Sequence, residues 1–136
     1  MYNLHYHIYR LPQPKIHKPG WYTFCLLNSA DEGSLLLMDT TTGNVPDCAK
    51  EGLVFSIDSK QLPKQVNDNL KKFPLFYQKG NGPFPLASAQ YNALECLFEK
   101  IRLNIDTPYI YKDLLLANLA LQLLHFGIKN FTASAV

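Results

Sequence analysis

The sequence predicts an α+β domain in which helices pack on one side of an antiparallel sheet or barrel. Three observations carry this. Short runs rich in aromatic and β-branched residues fill the chain up to Ile57. From Ser88 to Lys129 apolar residues recur instead at steps of three and four, the period of a helix. Between these halves, glycine and proline cluster from Lys79 to Pro85, which marks a turn. The reading is one domain over residues 1–136, with a β-rich part at 1–57, a short helix and extended connection at 58–87, and a helix pair at 88–129.

Tyr2 to Leu11 alternates histidine and tyrosine with Leu4, Ile8 and Tyr9, a strand pattern that Pro12 and Pro14 end. His17 to Gly20 forms a turn. Trp21 to Leu27 is then a nearly continuous apolar run of strand length, so it predicts a buried strand. Asn28 to Gly33 is a polar turn, Ser34 to Met38 a third strand, Asp39 to Lys50 a loop, and Leu53 to Ile57 a fourth strand. Asp58 can cap a short helix from Ser59 towards Lys72, with Leu62, Val66 and Leu70 inward and Pro63 in its first turn. Lys60, Lys64, Lys71 and Lys72 lie on its outer side, the ordinary composition of a solvated face. Phe73 to Tyr77 reads as an extended apolar piece.

In the first long helix Ser88 is the expected N-cap, and Tyr91, Leu94, Phe98, Ile101 and Ile105 draw one inward stripe. Asp106 or Thr107 is expected to cap the second, with Pro108 in its first turn and Gly127 as its terminator. Leu114, Leu115, Leu116, Leu119, Leu121, Leu123, Leu124 and Phe126 spread apolar surface around most of that helix. Two readings fit: it lies deep in its own fold, or its second face meets a partner subunit. Leu115, Leu119, Gln122 and Phe126 fall at steps of four and three and form one candidate dimer stripe.

A chain of 136 residues supports one core but no independent effector domain beside it. Hydrophobic residues at 47% and charged residues at 18% describe a folded globule rather than a disordered chain. The net charge of +2 is scattered, so nothing marks a nucleic-acid surface in these residues. Cys25, Cys48 and Cys96 have no metal-type pairwise spacing and read as free thiols of a reducing compartment. With no signal-peptide pattern and no membrane-length apolar run, the expected location is the cytoplasm, away from membranes.

The search for chemistry returns little. His5 and His7, two apart on a strand, could share a metal with His17, but that strand has no nearby carboxylate, and a half-exposed His/aromatic face is the plainer reading. His125 reads as a helix-terminal histidine. No serine sits in a nucleophile-elbow context, no cysteine has a neighbouring histidine, and Glu95 and Glu99 beside Lys100 and Arg102 look like a solvated helix face. Gly80 and Gly82 are followed by Pro83, which excludes a phosphate loop opening a helix. No catalytic set and no cofactor are expected. What remains is an apolar interior with a few polar groups, in which Tyr6, His17, Trp21, Tyr22, Phe24 and Phe55 are either core or the lining of a small-molecule pocket.

The run Glu51-Gly-Leu-Val-Phe-Ser-Ile-Asp58, then Asn69-Leu70 with Phe73 to Phe76, Leu94 with Leu97 to Ile101, and Tyr111-Lys112 with Asp113 to Leu115 resembles the N-terminal regulatory half of AraC-type transcriptional regulators of the Bacteroidetes kind. The likeness is close from Glu51 onward and loose over residues 1–50, and it rests on packing motifs. It implies a cupin-like β-barrel that senses a small effector, a sugar or another metabolite, followed by helices that make a homodimer. In such regulators a separate C-terminal half carries two helix-turn-helix units, so DNA binding would fall to residues absent from this chain. The segment from Leu27 to Gly33 lacks room for a hairpin usual in the family, and Asp39 to Thr42 replaces a proline, glycine and histidine turn, which predicts a short or open barrel. The rival expectations are a stand-alone cupin-like protein binding a small molecule or metal, and a dimerising scaffold without a ligand.

Overall fold

The structure, a computed structural model, describes residues 5–11, 21–29, 33–39, 51–70 and 84–131. Four strands, β1 (Tyr6–Leu11), β2 (Trp21–Ser29), β3 (Gly33–Asp39) and β4 (Glu51–Asp58), precede a 3-10 turn at Ser59–Gln61 and helix α1 (Lys64–Leu70). A two-residue strand, β5 (Phe84–Pro85), leads into the long helices α2 (Ser88–Asn104) and α3 (Lys112–Phe131). All strand pairs are antiparallel, in the order β1-β4-β2-β3-β5. The α+β prediction holds, and among the described residues the sheet is open, with β1 and β5 at its edges.

Side chains alternate across a strand, so the register sorts the sheet into two faces. Tyr6 and Ile8 of β1, Tyr22, Phe24 and Leu26 of β2, and Leu53, Phe55 and Ile57 of β4 share a single core with the helices. Leu62, Leu94, Phe98, Ile101, Ile105, Leu116, Leu119, Leu123 and Leu124 complete it. Phe24 and Phe55, paired in the β2/β4 register, stack with ring centroids 6.2 Å apart and no exposed surface. Each contributes about 1.5–3 kcal/mol by leaving water. Gly52 allows β4 to lie close against β2: a Cβ there would sit 2.6 Å from the Leu26 carbonyl oxygen and 3.1 Å from a Leu27 methyl.

Asp58 caps as expected, its carboxylate accepting from the Lys60 backbone N–H at 3.0 Å, but what it caps is the 3-10 turn. The helix proper begins later, because Pro63 cannot donate in a helix interior and serves better in front of α1, where its carbonyl accepts from Val66 and Asn67. Lys60 and Lys64 are exposed. The expected extended piece Phe73–Tyr77, and Lys71 and Lys72, lie outside the described residues.

In α2 the expected stripe is the buried one: Leu94, Phe98, Ile101 and Ile105 are fully buried and Tyr91 is half-buried. Its N-cap is Ala87 rather than Ser88, which is the first helical residue. Ala87 has no capping oxygen; instead the Gln90 side chain reaches back to accept from the Ala87 N–H at 2.8 Å. From the interior strand β2, Asn28 donates to the Tyr91 hydroxyl at 3.0 Å, tying the sheet to α2.

The boundary between the long helices also needs correcting. Thr107 closes α2 instead of opening α3, since both its hydroxyl and its backbone N–H donate to the Asn104 carbonyl, at 2.9 and 3.3 Å. Pro108 holds Thr107 away from helical geometry and lies ahead of α3, whose first hydrogen bond runs from Leu115 to the Tyr111 carbonyl. Asp113 sits in the first turn, where the helix dipole favours a negative charge. Gly127 does not terminate α3, which continues to Phe131. Gly127 is buried, and α3 carries it at the roughly 1 kcal/mol that glycine costs inside a helix.

Around α3, Leu116, Ala117, Leu119, Ala120, Leu123 and Leu124 are buried in the chain's own core, while Asn118, Gln122, His125 and Lys129 make an exposed polar stripe. Leu119 retains only 4% of its surface. This takes Leu119 out of the candidate dimer stripe, because a side chain spent on its own core cannot contact a partner; of the other three, Gln122 is exposed and Leu115 and Phe126 are half-buried. His125 is exposed within the helix, not at its end.

Candidate functional site

The second face of the sheet is also buried, and its composition differs from the first. In the register His7 of β1 lies opposite Ser56 of β4, and Ser56 lies opposite Thr23 of β2. These three polar side chains form one row across three adjacent strands, with His7 at 0%, Ser56 at 2% and Thr23 at 9% exposure. The hydroxyls of Thr23 and Ser56 share a hydrogen bond of 3.0 Å. Trp21, one side-chain step along the same face of β2, packs its ring against His7 with centroids 4.8 Å apart. Val54, Cys25 and Leu27 continue this face as apolar, fully buried neighbours. Polar groups are seldom buried without a use for their hydrogen-bonding capacity. An imidazole, two hydroxyls and an indole on one apolar wall are the parts from which a site for a small polyhydroxylated or polar molecule is built.

Of the six residues expected to line a pocket, the structure therefore brings only Trp21 to this face among those it describes. Tyr6, Tyr22, Phe24 and Phe55 point to the helix side and are core. Tyr22 donates to the Asn67 side-chain oxygen at 2.6 Å, and Asn67 in turn donates to the Ser59 carbonyl at 2.9 Å, so its hydroxyl braces α1 against the sheet. The Tyr6 hydroxyl reaches Asp113 Oδ1 at 3.1 Å and Gln61 Oε1 at 3.3 Å. Burial, and next the charge of Asp113 and its hydrogen bond, push the Tyr6 phenol well above the ordinary tyrosine value. His17 lies outside the described residues.

Thr23 and Ser56 escaped the sequence reading, yet each leaves a trace in it. Each is a hydroxyl residue embedded in an apolar strand run, Trp21 to Leu27 and Leu53 to Ile57, where every neighbour in sequence is buried. A polar residue at such a position must be satisfied inside.

Other chemistry stays sparse. Among the described residues no group of three His, Cys, Asp or Glu side chains is close enough to hold a metal ion. Cys25 is buried and Cys96 is exposed. Glu99 pairs with Arg102 on the solvated face of α2 at 2.8 Å, and the guanidinium holds the carboxyl below the ordinary value for glutamate. No described helix is long and apolar enough to cross a membrane. No model of a known protein family matches this chain, and no curated protein does either.

Proposed function

We propose that this chain is the effector-sensing and dimerising domain of an AraC-like transcription regulator, working without catalysis in the cytoplasm, with DNA binding carried by a helix-turn-helix half outside this chain. In this reading the open sheet is an incomplete cupin-like barrel, and its second face holds the effector, a sugar or a metabolite of similar polarity. The observation that carries it is the buried row His7, Ser56 and Thr23 beside Trp21. A core that only needed to pack would fill those positions with aliphatic side chains at less cost in desolvation. Sugars present hydroxyls at their edges and an apolar face, which suits hydroxyls and an imidazole next to an indole ring.

The test exploits Trp21, the sole tryptophan of the chain. Titrating the protein with a panel of mono- and disaccharides and small hydroxy acids should give a saturable change in its fluorescence, with a rise in melting temperature for the same compound. Thr23→Val should weaken that compound about tenfold or more while leaving the fold intact. A panel with no fluorescence or melting response would overturn the sensing half and favour a scaffold that has lost its pocket.

A further inference from the structure

Among the described residues, the large apolar side chains that are exposed gather at the corner between α2 and α3. Leu103 is 61% exposed, Ile110 83%, Tyr111 59% and Leu114 62%, and Tyr109 stands beside Tyr111 with the rings edge to face at 5.8 Å. Side chains this large and this exposed add up to apolar surface on the order of several hundred Å², the size at which a patch marks an interface rather than ordinary scatter. A groove of about 420 Å³ adjoins it, with Leu62, Pro63, Leu114, Ala117 and Leu121 among its walls. Leu114 belongs to both.

We infer that this corner is where a second copy of the chain docks, in a two-fold dimer that seats Tyr109, Ile110 and Tyr111 of each subunit against the groove of the other. The inference rests on the dimerising half of the reading above and moves its interface, since Leu119 is committed to the core. Two features favour a second copy over a different partner. Projection and groove lie on the same corner and share Leu114, as a self-complementary patch requires, where residue i meets j and j meets i. The charges at its rim are also of both signs. Asp106 precedes the projection and Lys112 follows it, and neither has an ion-pair partner among the described residues, so a two-fold axis can set each against its opposite in the partner. The apolar area is a large share of the ~800 Å² per partner that a stable interface buries.

Sedimentation equilibrium of the full chain, from low micromolar to near-millimolar concentration, tests this. The unaltered chain should be dimeric, and Ile110→Asp should weaken the dimer about 30-fold or more with an unchanged circular dichroism spectrum, because Ile110 is 83% exposed in its own subunit. Gln122→Arg, on the exposed stripe of α3, should leave the dimer unchanged. A dimer that survives Ile110→Asp but is lost with Gln122→Arg overturns the corner and keeps dimerisation. A chain that stays monomeric throughout overturns the second copy and the dimerising half together, and leaves the fluorescence test of sensing standing.

Discussion

The hydroxyl of Tyr6 meets the carboxylate of Asp113 at 3.1 Å, joining the first strand of the sheet to the first turn of the last helix. Tyr6 has no exposed surface, and its backbone neighbour His7 faces the opposite side of the sheet, in the polar row. This hydrogen bond ties β1, the strand that carries His7, to the N-terminal end of α3.

Tyr6→Phe should lower stability by about 1 kcal/mol, the usual net worth of one hydrogen bond, since Asp113 is exposed and regains water when the phenol is lost. The same bond has a pH signature. With the folded Tyr6 raised above its unfolded value, the unfolded chain loses this proton first, so stability is full below pH of about 10 and falls above it. Urea denaturation at rising pH should show a loss approaching 1.4 kcal/mol per unit from this residue, and a shallower fall in the Phe variant. Equal slopes in the two proteins would sink the assignment.

Leu119→Asp should unfold the chain rather than release a folded monomer, because it places an unpaired carboxylate among Leu116, Leu123 and the core side of the sheet. Leu119→Ala should cost about 2–5 kcal/mol. Circular dichroism with thermal melting reads both, and a folded Asp variant would return Leu119 to the surface.

Thr23→Val alone and Ser56→Ala alone should each cost about 1–3 kcal/mol, since each strands the other's buried hydroxyl. Their combination should cost clearly less than the sum. A double-mutant cycle in urea measures the coupling, and strict additivity would mean that the two hydroxyls do not depend on each other.

Local patterns carried most of the fold. The apolar runs at Trp21 and Leu53 became central strands, and the three-and-four spacing from Tyr91 to Ile105 became the inward face of α2. What local pattern could not supply was position between elements. Thr107 has the chemistry of either helix cap, and only the path of the chain decides that it serves α2. Gly127 has the chemistry of a helix stop, yet α3 runs through it to Phe131. Burial on both faces of the sheet also hid the site: with no alternation of polar and apolar residues in Trp21 to Leu27, nothing in the run tells which side chains share a face with Tyr6 and which with His7. The pairing register supplies that, and it joins residues far apart in the chain.

The strand order bears on how the chain is made. β2 and β3 are neighbours in sequence and can zip early, and β4 then adds along β2. β1, although synthesised first, has no partner until β4 has emerged, since its place is beside β4 and not beside β2. During translation an aromatic strand with unpaired backbone groups must wait through the synthesis of the two strands that follow it. The Tyr6 to Ile57 pair therefore closes after the β2/β3 pairing, as a contact of longer sequence range.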